Sequence, residues 1–294
     1  MKFGLVGTGY WARVTHGAAL VRDPGVELVG VWGRHPDKTT SLASELGCAP
    51  YNDYAALLND VDAVAFAVAP DVQGRMAIDA ANAGKHLMLD KPITTNIADA
   101  AELVAAVERS GVASVVFFTF LFAQPSREWM ERIGEKKWHG GWARFLTSVF
   151  DEGSPYDSPW RREKGALWDL GPHALSILAG GLGPIVAVKA EGGAGNLAHL
   201  ILRHESGATS TATLTLEAPS EAIDVEMTLW GESGIESVPG TTSNPVDAFT
   251  TALHDLMSNV AASTTRHPCD VHFGEAITRI LADAEAQISK NDPH

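Results

Sequence analysis

From the N-terminus, short apolar runs alternate with segments whose apolar residues recur at helical spacing. Phe3 to Val6 is closed by glycines and followed by a helical pattern from Val14 to Val21. Val26 to Trp32 is a second β-rich run, with a polar helix-like stretch behind it to Leu46. Ala63 to Ala69 is a third, and Asp71 to Ala83 reads as an alanine-rich helix ended by Gly84. His86 to Leu89 is a fourth run, with Pro92 behind it. Ile97 to Arg109 is amphipathic, and Val112 to Phe118 is a fifth strand. Strands that alternate with helices predict a doubly wound parallel sheet with right-handed crossovers.

After residue 120 the rhythm changes. Trp142 to Phe150, Ile185 to Glu191, Leu197 to His204, Ala208 to Glu217 and Ala222 to Trp230 are strand-like, with few helices between them. Thr209, Thr211, Thr213 and Thr215 alternate with Ser210, Ala212, Leu214 and Leu216. One face is apolar and the other a threonine ladder, as in an antiparallel sheet covered on one side. The open face reads either as solvated surface or as a subunit interface. Helices from Phe249 to Ala261 and from Phe273 to Ile288 close the chain. The expected fold class is α/β, with a doubly wound parallel-sheet domain over 1–119 and a second, mostly antiparallel α/β domain over 120–294.

Composition narrows the partners. The 294 residues are 45% apolar, which excludes a disordered chain. Lys and Arg total 22 against 36 Asp and Glu, a net charge of −14, with no basic cluster to attract nucleic acid or an anionic membrane. The apolar stretch from Gly111 to Ala123 is too short to span a bilayer, which needs about 20 residues. Two distant cysteines, Cys48 and Cys269, make no disulfide framework and fit a reducing compartment. The N-terminus lacks the pattern of a signal peptide, so a soluble, cytoplasmic protein is expected.

The first chemical signal is Gly7-x-Gly9-x-x-Ala12, between the first strand and a helix. Gly7 allows the tight turn, Gly9 lets backbone approach a pyrophosphate, and Ala12 permits close helix–strand packing. The helix start offers free N–H groups to phosphate. NAD-binding chains usually carry Asp or Glu at the end of the second strand, where it accepts the ribose 2′-hydroxyl. Here the strand ends in Gly33 and Arg34, which suits a 2′-phosphate, so NADP is expected ahead of NAD.

A second signal is Asp90-Lys91-Pro92 behind the fourth apolar run. A lysine at the carboxyl end of a parallel strand points into the ligand crevice, where it can donate a proton or polarise an oxygen. A third is Asp169 and His173 in WDLGPHALSIL. Either one helix carries both on a shared face, or Pro172 opens a helix with Asp169 just ahead of it. A carboxylate beside an imidazole suits a general base. A metal pair is the alternative, but no third ligand lies nearby in sequence.

Taken in order, GTGYWA, AVAPDVQ, AGKHLMLDKPIT, GALWDLGPH and HPCDV resemble the glucose–fructose oxidoreductase / inositol dehydrogenase / rhizopine catabolism (Gfo/Idh/MocA) family over essentially the whole chain. The resemblance implies a Rossmann domain followed by an open-sheet domain often used for oligomerisation, here as a homodimer or homotetramer. It implies that Lys91, Asp169 and His173 carry catalysis, and that the Lys91–Pro92 bond is cis. Thr8, Tyr10, Trp11, Pro70, Gln73 and Asp90 join Gly7, Gly9, Ala12, Gly33 and Arg34 around the cofactor. Trp160, Arg161 and Phe122 join the catalytic trio around the substrate. Asp90 stands where the family has Glu, Gln73 where many members have His, Ser176 where Asp is common, and Phe122 where Arg is common. The last of these predicts a less polar pocket.

The implied reaction is reversible hydride transfer between nicotinamide and a secondary alcohol or ketone on a sugar-like or cyclic polyol skeleton. His173 takes the hydroxyl proton while Lys91 stabilises the alkoxide, and the sequence leaves those two roles exchangeable. Asp169 is expected to fix the His173 tautomer. Two other outcomes of the same family are a glycosidase that uses a tightly held dinucleotide without net redox change, and a non-catalytic dinucleotide sensor.

Overall fold

Phe3, Leu5 and Val6 of strand β1 (Lys2–Val6) are fully buried, as a strand covered on both faces requires. The computed structural model describes residues 1–134, 136–240 and 244–291. In it β1 lies inside a six-stranded sheet with β2 (Glu27–Trp32), β3 (Ala49–Tyr51), β4 (Ala63–Phe66), β5 (His86–Asp90) and β6 (Ser114–Phe117). The order is β3-β2-β1-β4-β5-β6 and every pairing is parallel. Strand order reverses at β1, which makes its carboxyl end the ligand crevice of a doubly wound sheet.

The loop after β1 runs into a π-helical stretch, Ala12–Gly17, which continues as α1 (Ala18–Arg22). Between β2 and β3 lies α2 (Pro36–Leu46), closed by Gly47 at φ +70°. Asp53 caps α3 (Tyr54–Asp60) through the Ala55 and Ala56 amides, and Asn96 caps α5 (Ile97–Ser110) through Ala98 and Asp99. Between these, α4 (Pro70–Asn82) begins on a proline that needs no N–H partner. Strand β3 and helix α3 escaped the periodicity because β3 has only three residues, one of them Pro50.

The chain forms two compact units. One is Met1–Phe122 with Asn244–Glu275, and the other is Ala123–Ser243 with Ala276–His294. The single cut at 119/120 read from the sequence therefore differs from the fold, because the chain returns to the first unit. There α6 (Thr119–Phe122) and α10 (Pro245–Ala261) pack together, and Phe249 of α10 lies edge-on to Phe117 at 5.0 Å. The last helix, α11 (Val271–Asn291), begins in this unit and ends in the other.

The second unit holds α7 (Gln124–Ile133), β7 (Trp138–Leu146), α8 (Pro159–Asp169), α9 (Gly171–Leu182), β8 (Ile185–Gly193), β9 (Leu197–His204), β10 (Thr209–Thr215), β11 (Asp224–Gly231) and β12 (Gly234–Ser237). Its sheet runs β12-β11-β7-β10-β9-β8 and is antiparallel except where β10 pairs with β7. Helix α9 is buried along nearly its whole length on one face, with Leu178 and Gly181 against Gly141 and Leu229. Being apolar all round, α9 had no periodicity to announce it. The threonine ladder holds as far as Thr211 and Thr213. Thr215 turns inward, and its hydroxyl donates to the Gly195 carbonyl at 2.6 Å.

Candidate functional site

In the first unit, the glycine loop occupies the carboxyl end of β1. Gly7 has φ +128°, and a Cβ there would lie 2.3 Å from the Ala67 carbonyl oxygen, so no other residue fits. A Cβ at Gly9, by contrast, would meet nothing within 4 Å. Ala12 is fully buried, Trp11 is half-buried and Tyr10 is exposed. A tight turn, an open position and a helix start thus follow one another, the arrangement a pyrophosphate needs. The residues present fit a dinucleotide.

At the end of β2, a Cβ on Gly33 would lie 2.6 Å from Cγ2 of Thr8. A larger residue at this position therefore needs the Thr8 side chain to shift. Thr39 fixes this corner by donating its hydroxyl to the carbonyls of Gly33 (3.3 Å) and His35 (3.0 Å). Arg34 beside it is exposed.

At the end of β5, the turn carrying Lys91 is held from beneath. The Lys91–Pro92 peptide is cis. Gln73 is completely buried, and its Nε2 donates to the carbonyls of Asp90, Pro92 and Ile93 at 2.8, 3.1 and 3.2 Å. Its Oε1 accepts the Asp90 amide at 2.9 Å. Gln73, expected at the cofactor, therefore has its whole amide engaged by the turn. Asp90 accepts the Lys91 amide on Oδ1 at 2.8 Å. Its other oxygen lies 3.6 Å from Nε2 of His16, a fully buried residue of the π-helical stretch. His16 was missed in the sequence because a lone histidine in an apolar helix gives no signal of its own. Pro70 is buried at the start of α4. Phe122, expected at the substrate, is 2% exposed and stacks on the His267 ring at 6.0 Å within the first unit's core.

In the second unit, α8 ends at Asp169 and α9 begins at Gly171 with Pro172 in its first turn, so the two-helix alternative is the one observed. Asp169 and His173 are both buried. Arg161 Nε donates to Oδ2 of Asp169 at 2.8 Å, and its Nη1 donates to the Tyr156 carbonyl at 3.0 Å. The guanidinium also lies 4.8 Å from the centre of the Trp160 ring. Arg161, expected at the substrate, is thus a charge partner of Asp169. The His173 ring is stacked near-parallel to Phe145 at 6.1 Å, and Ser176 donates to the His173 carbonyl. Among the described residues no group of three or more His, Cys, Asp or Glu side chains is placed to hold a metal ion. None of the described helices is long and apolar enough to cross a membrane.

Residues 1–118 match the family model described as oxidoreductase family, NAD-binding Rossmann fold. Residues 139–235 match the GFO/IDH/MocA C-terminal domain. Over 227 residues the chain is 30% identical to D-apiose dehydrogenase of Paraburkholderia graminis, across 71% of this chain and 59% of that protein. It is 29% identical over 212 residues to dTDP-3,4-didehydro-2,6-dideoxy-alpha-D-glucose 3-reductase of Streptomyces violaceoruber, across 70% and 59%. Both matches take in less than two thirds of the relative's own length. Among solved structures, UDP-N-acetylglucosamine 3-dehydrogenase GnnA from Acidithiobacillus ferrooxidans shares the fold at TM-score 0.84 and 18% identity, over 99% of this chain and 98% of that one.

Proposed function

This chain belongs to the Gfo/Idh/MocA oxidoreductase family, and on that premise we propose that it is an NAD(P)-dependent oxidoreductase acting on a secondary alcohol, or the matching ketone, of a sugar-like or cyclic polyol substrate. The observation that carries the reading lies in the first unit. The open position at Gly9 and the clamped Lys91 both stand at carboxyl ends of one parallel sheet, where such sheets bind ligands. The names of the two curated relatives support a sugar-like substrate. Gly33 and Arg34 support NADP over NAD.

When bound, the nicotinamide supplies or takes up the hydride. Lys91 is assigned to the substrate oxygen, where its ammonium stabilises developing negative charge. His173 is assigned to the hydroxyl proton, with its ring backed by Phe145. Asp169, paired with Arg161, is assigned to accept from a substrate hydroxyl. Ile201, Trp230 and Ile235 are exposed on the open sheet face beside Thr209 and Thr211. That apolar patch supports a homo-oligomer through the sheet, which sedimentation of the wild type and of Ile201→Arg tests directly.

The test of the activity is Lys91→Ala, assayed by reduced-cofactor absorbance against a panel of sugars, polyols and their ketones. The reading requires turnover to fall by about 10²–10⁴-fold while dinucleotide affinity stays within a few-fold. Nearly unchanged turnover would remove Lys91 from the chemistry. A dinucleotide that co-purifies and never exchanges would instead favour the glycosidase.

A further inference from the structure

Gly33, Arg34 and His35 form the whole corner that joins β2 to α2. The corner adjoins the glycine loop, because the Gly7 amide donates to the Trp32 carbonyl at 2.9 Å. Helix α2 has no side-chain cap: His35 makes none, and Pro36 brings no N–H. One buried side chain fastens the corner from inside the helix. Thr39, the fourth residue of α2, is 1% exposed, and its hydroxyl reaches the His35 carbonyl at 3.0 Å and the Gly33 carbonyl at 3.3 Å.

The bond to His35 is the ordinary one for a helical threonine, whose hydroxyl finds the carbonyl four residues back. The Gly33 carbonyl is six residues back and precedes the helix, so helix geometry alone does not account for that contact. The two carbonyls stand on either side of Arg34. A single hydroxyl proton shared between them opposes rotation of both peptide units and holds the Arg34 backbone between them. The packing is close, since a Cβ on Gly33 would lie 3.0 Å from the Thr39 hydroxyl oxygen. Arg34 itself is exposed. Ordering a long exposed side chain on a ligand costs entropy, and a backbone fixed beforehand lowers that cost.

We propose that Thr39 is a positioning residue for cofactor preference: its hydroxyl fixes the backbone of Arg34, so that the guanidinium meets a ribose 2′-phosphate at less cost. This rests on the role given to Arg34 above. A dinucleotide without that phosphate makes no such contact, and its affinity is independent of the hydroxyl. The role therefore shows as a difference between two ligands, which a general loss of core packing does not produce.

The test is a titration of the full-length chain with NADPH and with NADH, followed by tryptophan fluorescence. Thr39→Val keeps the branched shape and removes the donor. It is expected to weaken NADPH about fivefold, the worth of one neutral hydrogen bond, and to leave NADH within about twofold. Thr39→Ser, which keeps the hydroxyl, is expected to bind NADPH as the wild type does. Thr39→Ala supplies the comparison if urea denaturation shows that Thr39→Val does not fold. In an Arg34→Ala background Thr39→Val is expected to change nothing further, because both act on one contact. Equal weakening of NADPH and NADH, or effects that add in the double variant, would overturn the proposal. Unchanged NADPH binding in Thr39→Val beside a weakened Arg34→Ala ends this inference alone. Unchanged NADPH binding in Arg34→Ala ends the NADP reading, and this inference with it.

Discussion

Gln73 and Asp90 are joined twice: the Asp90 amide donates to Oε1 of Gln73 at 2.9 Å, and Nε2 of Gln73 donates to the Asp90 carbonyl at 2.8 Å. With two further carbonyls on the same nitrogen, one buried side chain holds the backbone of residues 90–93. Gln73→Leu keeps the volume and leaves those groups unsatisfied in the interior. The expected loss is about 3 kcal/mol of unfolding free energy, measured by urea denaturation. Gln73→His, which offers one donor and one acceptor, is expected to lose less. A loss under about 0.5 kcal/mol for Gln73→Leu, the size of an ordinary surface change, contradicts the clamp.

Arg161 and Asp169 are a nearly buried pair, with 21% and 8% of their side-chain surface exposed. Breaking such a pair from one side strands the other charge. Arg161→Leu is expected to destabilise the protein by about 2–4 kcal/mol, and Asp169→Asn in that background to recover part of the loss. Equal stability of Arg161→Leu and wild type, by the same denaturation, would show that solvent already satisfies Asp169.

His204 is 2% exposed, with Nδ1 2.7 Å from the Gly183 carbonyl and Nε2 2.8 Å from the Ser210 hydroxyl. Nδ1 must donate to the carbonyl, so the neutral ring accepts from Ser210 on Nε2. Burial lowers the proton affinity of this ring below the usual 6.5, and the carbonyl contact only partly opposes it. The unfolded chain then binds the proton more readily than the folded one. The stability tied to His204 is therefore complete above about pH 6.5 and lost as the pH falls below it, by at most about 1.4 kcal/mol per pH unit. His86, also lowered by burial, contributes with the same sign. His204→Phe is expected to be less stable at pH 7.5 but flatter between pH 6.5 and 5, read from thermal unfolding. Parallel curves for the two proteins contradict the assignment.

Five of the six strands of the first sheet were legible because each is an apolar run bounded by a glycine, a proline or a helix cap. Ala49–Tyr51 was too short to register. In the second unit the exposed–buried alternation of Thr209 to Ala212 marked its strand, whereas α9, with Leu175, Ile177 and Leu178 all buried, showed no polar face. Local motifs singled out Gly7, Lys91, Asp169 and His173 as candidates. What they did not reveal were pairings over long or irregular separations: Gln73 with residues 90–93, His16 with Asp90, Thr8 with Gly33, and Arg161 with Asp169. None of these has a fixed spacing, because each depends on which strand ends the sheet order brings together or on a break between helices.

The most direct measurement is a titration of the purified protein with NADPH and with NADH, followed by tryptophan fluorescence, in the wild type and in Arg34→Ala. The account predicts that wild type binds NADPH more tightly than NADH. Arg34→Ala is expected to weaken NADPH by about tenfold, the worth of one charge-assisted contact, and to leave NADH unchanged. Equal binding of the two by wild type would leave Arg34 a surface residue and overturn the NADP preference. No response to either, in protein carrying no bound nucleotide, would contradict the dinucleotide role of the Gly7–Ala12 loop and with it the proposed activity.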